Sequence, residues 1–208
     1  KSEDILSTIN GLRKLGIKIF FKKKICYLHG NGLNGFNYKK NIVIDAGNSG
    51  TFARLLLGLL VKSPYSIKIV GDESLSRRDF QRIVDPLEKF GAKFKLRNNK
   101  NLPLTIYGSK KLKPINYLEQ KGSAQCKSSV IFGAMRTNGV TTIKAKKSRN
   151  HTELLCNYLK LPINVKNKKN YDEIKVKKFK NIKKLNYNIP SDISSSAFFM
   201  VLTALSKD

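Results

Sequence analysis

Ser123-Ala124-Gln125-Cys126-Lys127-Ser128-Ser129-Val130-Ile131-Phe132-Gly133-Ala134-Met135 opens on small and polar residues and closes on an apolar run. Ser123 is a good helix N-cap residue type. Residues 130–132 are apolar on every side, so the spacing predicts a helix buried inside the molecule rather than laid on its surface. The design recurs twice. Ser49-Gly50-Thr51 opens a helix ending near Leu60, and Ser191-Asp192-Ile193 opens one running into Leu205. The three starts, at positions 49, 123 and 191, are almost evenly spaced. The interiors of the outer two, 55–57 and 198–201, are as apolar as that of the middle one.

A second kind of helix alternates with these. Ile9, Leu12 and Leu15 form a stripe that Gly16 stops; Val84, Leu87 and Phe90 form one before Gly91; Leu155, Tyr158 and Leu161 form one before Pro162. The i, i+3, i+6 spacing is that of an amphipathic helix. An extended segment follows each (17–21, 92–96, 163–166), then a polar turn and a further strand-like stretch (25–28, 102–107, 173–176). The repeating unit is therefore strand, buried helix, strand, amphipathic helix, strand, strand. Its period exceeds that of a solenoid repeat and implies an α/β fold with internal pseudo-symmetry. The chain reads as the back half of one unit, two whole units and the opening of a fourth.

Composition narrows the function classes. The 208 residues carry 41 Lys+Arg against 14 Asp+Glu, a net charge of +27, with 40% hydrophobic residues, too apolar for a disordered polycation. The apolar runs at 52–61 and 197–205 fall well short of the roughly 20 residues of a membrane span. Cys26, Cys126 and Cys156 are scattered, without C-x-x-C spacing, which argues against a disulfide framework or a zinc site. The basic residues are mostly Lys, dispersed along the chain, and accompanied by 19 Asn and 19 Ile. This is the pattern of a solvated surface and of A/T-rich coding. No helix-turn-helix, Cys/His finger or paired-aromatic RNA motif accompanies the charge.

The buried helices have a chemical consequence. A helix N-terminus with small residues presents free N–H groups and the positive end of the dipole, and several converging on one place make an anion site. The repeat also places Arg78 and Arg149 at equivalent positions, Arg78 standing as far before Gly91 as Arg149 does before Pro162. Each lies beside a capping-box pattern, Ser76-x-x-Asp79 or Asn150-x-x-Glu153. Guanidinium groups at helix starts suit phosphate or carboxylate.

Five motifs then become specific. Gly47-Asn48-Ser49-Gly50-Thr51-x-x-Arg54 resembles the G-N-S/A-G-T-x-x-R segment of the 5-enolpyruvylshikimate-3-phosphate synthases. Gly71-Asp72-Glu73-Ser74-Leu75-Ser76-Arg77-Arg78 with Asp85-Pro86-Leu87 resembles that family's G-D-x-S-L-x-x-R-P…D/N-P-L. Ser123-Ala124-Gln125-x-Lys127-Ser128 resembles S-A-Q-x-K-S, Ser148-Arg149-Asn150-His151-Thr152-Glu153 resembles S/T-R-D/N-H-T-E, and Pro190-Ser191-Asp192-Ile193-Ser194-Ser195 resembles P-G-D-x-S-S. Asp79 and Leu55 stand where many members have proline, and Ser191 where they have glycine.

The resemblance implies the enolpyruvyl transferase fold, an inside-out α/β barrel type built from βαβαββ units. It implies enolpyruvyl transfer from phosphoenolpyruvate to the 5-hydroxyl of 3-phosphoshikimate, in aromatic amino acid biosynthesis. No cofactor, metal, membrane or nucleic-acid partner is implied, and the full-length enzyme is expected to be a cytoplasmic monomer. Gly50 would lie at the phosphoenolpyruvate pocket, where a side chain would crowd the ligand, and Arg78 would bind that substrate. Ser123, Ala124 and Gln125 would hold the shikimate phosphate through hydroxyl, backbone N–H and amide, with Arg149 on its phosphate or carboxylate. Lys127, Asn48 and Arg54 would brace the helix starts, and His151 and Asp192 would be helix-start residues. The sister enzyme acting on UDP-N-acetylglucosamine and a basic nucleic-acid-binding module are the alternatives.

The chain starts at Lys1, downstream of the family's K-S-x-S-x-R motif, and covers the middle half of a typical member. Residues 1–189 are expected to be an incomplete N-terminal substrate-binding domain, and 190–208 the crossover and first helix of a C-terminal one. The catalytic proton-transfer groups belong to the parts outside it, so this fragment is expected to bind substrate without turnover.

Overall fold

The computed structural model describes residues 2–32, 35–179, 181–182, 184–190 and 193–205. Among these residues, three sheets follow the repeat. The first is a hairpin of β1 (Lys18–Lys22) and β2 (Ile25–His29), preceded by α1 (Glu3–Lys14). The second unit runs β3 (Ile42–Asp45), α2 (Gly50–Leu60), β4 (Ile67–Val70), α3 (Glu73–Arg77), α4 (Gln81–Lys89), β5 (Lys93–Arg97) and β6 (Asn101–Tyr107). The third runs β7 (Asn116–Glu119), α5 (Ala124–Ala134), β8 (Val140–Lys146), α6 (His151–Tyr158), β9 (Ile163–Asn167) and β10 (Tyr171–Lys177). Helix α7 (Ile193–Leu205) follows.

Both four-stranded sheets have one topology. Their orders are β3-β4-β6-β5 and β7-β8-β10-β9, with the first pair parallel and the other two antiparallel. The pseudo-symmetric α/β fold expected from the repeat is present. Strand alternation sets the register: Ile67 and Ile69 in β4 face inward with Leu104 and Ile106 of β6, and Ile143 of β8 does so with Ile174 of β10.

The inward faces and the buried helices make one core. Ala53, Leu57 and Leu60 of α2 are fully buried, as are Val130 and Ile131 of α5. Each of these leucine, valine and isoleucine side chains contributes about 1.5–3 kcal/mol through removal from water. The two helices approach closely where Gly58 meets Ser129. A Cβ on Gly58 would run into the Ser129 carbonyl oxygen, so the approach needs glycine.

Four expectations are corrected. α7 is exposed at Phe199 (72%), Val201 and Leu202 rather than buried, because the described residues offer it no cover; Ser191 and Asp192, read as its start, lie outside the described residues. The third stripe is shifted: Leu155 and Tyr158 are exposed, while α6 buries Glu153 and Cys156. The helix ends ahead of Pro162, at Tyr158, and Lys160 (φ 53°), just past its C-cap, is the counterpart of Gly91 (φ 113°). Neither capping box forms. Ser76 Oγ donates to the Gly71 carbonyl, Asn150 makes no side-chain cap bond, and a short unforeseen helix, α3, ends before Arg78.

Candidate functional site

Each buried helix is reached through a turn closed by a carboxylate at the end of the preceding strand. Asp45 Oδ1 accepts the Gly47 N–H at 2.8 Å, and Glu119 Oε1 accepts the Lys121 N–H at 3.1 Å. Ser49 caps α2 by accepting from the Phe52 amide, and Ser123 caps α5 by accepting from the Cys126 amide, both at 3.3 Å. Each serine keeps its own hydroxyl proton to donate. The Gly50 amide turns back to the Asn48 carbonyl at 2.9 Å. The Thr51, Ala124 and Gln125 amides precede the cap bonds, where a helix supplies no acceptor of its own, and can meet an anion.

Arg78 is brought to the start of α2 by α3. Asp72 caps α3, accepting from the Leu75 amide at 2.7 Å, and its other oxygen accepts from Asn48 Nδ2 at 2.5 Å. Asn48 Oδ1 in turn accepts from Arg78 Nη2 at 3.3 Å. The Leu75 amide bond, then the Asn48 bond, with a smaller contribution from Arg78, hold the Asp72 carboxyl below its ordinary value. The first atom that a Cβ on Gly50 would meet is Arg78 Nη1, at 2.9 Å. Glycine at this position leaves room for the guanidinium directly above the helix N-terminus.

The starts of α2 and α5 are joined side chain to side chain. Gln125 Nε2 donates to Thr51 Oγ1 at 2.9 Å, and Gln125 Oε1 accepts from Arg54 Nη1 at 2.7 Å. This assigns the two ends of the amide. Arg54, 7% exposed, also lies 5.3 Å from the centre of the Phe80 ring. Burial, then Arg82, lower its pKa from the ordinary arginine value. Beside this junction a cavity of about 160 Å³ is lined by Thr51, Ala124, Gln125, Ser128, Arg149 and His151, among others.

Of the six residues singled out in the sequence, Gly50 and Arg78 meet at the start of α2, and Ala124, Gln125 and Arg149 line the cavity at the start of α5. Ser123 caps the helix beside it. The equivalence of the two arginines is off by one, since Arg149 directly precedes the Asn150 N-cap while Asp79 separates Arg78 from the Phe80 N-cap. The sequence does not single out Thr51 and Ser128; only their contacts, not their residue type, mark them. Asn48 and Arg54 link Arg78 and Gln125 to the scaffold. Cys126 is buried, and burial pushes its thiol pKa up, against any nucleophilic role.

The family model described as EPSP synthase (3-phosphoshikimate 1-carboxyvinyltransferase) matches residues 1–208. Among curated relatives, the 3-phosphoshikimate 1-carboxyvinyltransferase of Sulfurihydrogenibium sp. is 37% identical over 99% of this chain and 48% of its own length. That of Caldicellulosiruptor saccharolyticus is 39% identical over 100% of this chain and 48% of its own. A solved EPSP synthase from Acinetobacter baumannii superposes with a TM-score of 0.85 at 33% identity, covering 97% of this chain and 45% of that one. The chain spans about half the length of the curated relatives it matches.

Proposed function

This chain belongs to the EPSP synthase family, and from that membership we propose that the protein transfers the enolpyruvyl group of phosphoenolpyruvate to the 5-hydroxyl of 3-phosphoshikimate, releasing inorganic phosphate. It works as a cytoplasmic monomer, with residues 190–208 opening a further unit. The start of α2, Gly50 and Arg78 receive phosphoenolpyruvate. Ser123, the Ala124 N–H, Gln125 and Arg149 receive the phosphate and carboxylate of the shikimate.

The observation that carries this reading is the Gln125 amide between Thr51 and Arg54, which sets two helix N-termini side by side. Two anionic substrates need two adjacent cationic or N–H-lined places, and the adjacency of these two helix starts supports that reading. The described residues of the site act by orientation and by fixed positive potential, which stabilise charge developing as the tetrahedral adduct forms and phosphate leaves.

Isothermal titration of the chain with 3-phosphoshikimate is expected to show binding that Arg149→Ala weakens about tenfold, the loss of one charge-assisted contact. Equal binding of unphosphorylated shikimate would sink the phosphate assignment. Preferential binding of UDP-N-acetylglucosamine would move the protein to the sister branch.

A further inference from the structure

Lys127 is fully buried, and its partner Glu153 is 3% exposed. Nζ lies 2.6 Å from Glu153 Oε1. Beyond this ion pair, neither Nζ nor Glu153 Oε2 has a hydrogen-bond partner among the described residues. Taking both charges out of water is costly, and a pair this sparsely hydrogen-bonded recovers only part of that cost. The fold itself does not need the pair. Counted from the N-caps, Lys127 matches Ala53 of α2, and Glu153 matches the turn of α4 that carries Ile83 and Val84. All three of these residues are apolar and buried. The preceding unit builds the same topology with buried apolar residues where this unit keeps charges.

What the pair joins gives the reason. Lys127 lies in the first turn of α5, behind Ala124 and Gln125, and Glu153 in the first turn of α6, behind Arg149 and His151. Beside the ion pair, Ser128 Oγ of α5 and Thr152 Oγ1 of α6 are 2.7 Å apart. Ion pair and hydroxyl bond together fix the start of α6 on the start of α5, at the floor of the cavity that Ala124, Gln125, Arg149 and His151 line. Apolar packing is non-directional and would let one helix slide along the other, whereas a buried charge pair has a single register.

We propose that Lys127 and Glu153 are positioning residues, a buried ionic latch that sets Arg149 against the N-terminus of α5 at the distance a phosphate needs. The proposal rests on the reading of this cavity as the 3-phosphoshikimate site. Its test is the double variant Lys127→Met/Glu153→Leu, which removes both charges without stranding either. The latch predicts an unchanged or higher melting temperature, about tenfold weaker 3-phosphoshikimate binding, and faster amide hydrogen exchange at Asn150–Glu153. Glu153→Asp, keeping the charge on a shorter arm, should bind better than the double variant. Unchanged affinity and exchange in the double variant would overturn the latch while leaving the site standing. Absence of 3-phosphoshikimate binding by the parent chain would instead overturn the site, and the latch with it.

Discussion

The unit built on β3–β6 and the one built on β7–β10 share strand order, pairing sense and the placement of a buried helix, yet the starts of their buried helices differ in chemistry. At α2, Gly50 leaves space that the guanidinium of Arg78 occupies. At α5 the same position is Ala124, and the helix start opens into a cavity lined by Arg149. Between α2 and α4 the unit carries Ala53 and Ile83, with the guanidinium of Arg54 close enough to Arg82 to feel its charge. Between α5 and α6 it carries an ion pair and a hydroxyl pair. Topology follows the apolar pattern, which both copies keep. The polar groups at the helix starts are free to diverge, and that divergence makes two chemically different helix starts out of one repeat.

The largest expected effect breaks the contact between the copies. Gly58→Ala gains helix propensity of about 1 kcal/mol but drives a methyl into the Ser129 carbonyl oxygen, which is backbone and cannot yield cheaply. The clash should win, with a net loss of about 2 kcal/mol measurable by urea denaturation. Phe132→Ala, at the matching position of α5, should act through a cavity instead, since that position carries a ring.

A smaller effect should appear at the helix starts. Gly50→Ala would displace Arg78 and weaken phosphoenolpyruvate binding by roughly tenfold with little change in melting temperature. Ala124→Gly should leave that affinity nearly untouched. Equal effects would mean that the two helix starts are chemically alike.

The smallest concerns pH. The Asp72 pKa is lowered in the folded state, so over the range between its folded and unfolded values the unfolded chain binds more protons and stability rises with pH. The contribution is present above the ordinary carboxylate range and is lost as pH falls through the folded value. Asp72→Asn, which keeps the capping oxygen, should flatten that acid limb of the stability profile, read from melting temperatures across the acid range. Ser148 holds the matching place after β8 and carries no charge, so Ser148→Ala should leave the acid limb as it is.

Each departure from the sequence pattern has its own physical reason. The third amphipathic stripe is shifted because one of its core positions is Glu153, whose burial depends on a lysine from another helix and leaves no mark in apolar periodicity. The Ser76 box does not form because Ser76 lies inside α3, which Asp72 caps, and so short a helix has too little period to detect. Lys160 in a left-handed conformation ends α6 without the glycine that marks the other two helix ends.

The sequence by itself determined the repeat, the burial of α2 and α5 and the resemblance to the family, because these rest on local spacing and on residue types at fixed intervals. It also singled out Gly50, Arg78, Ser123, Ala124, Gln125 and Arg149. Only the tertiary structure decided what each one faces. That Arg78 fills the space above Gly50, that Gln125 bridges Thr51 and Arg54, and that Lys127 finds Glu153 are all pairings between distant parts of the chain. The direction of a polar side chain is set by the neighbours that packing brings to it, and those neighbours exist only once each unit has folded and, for Gln125, once the two units have closed on each other.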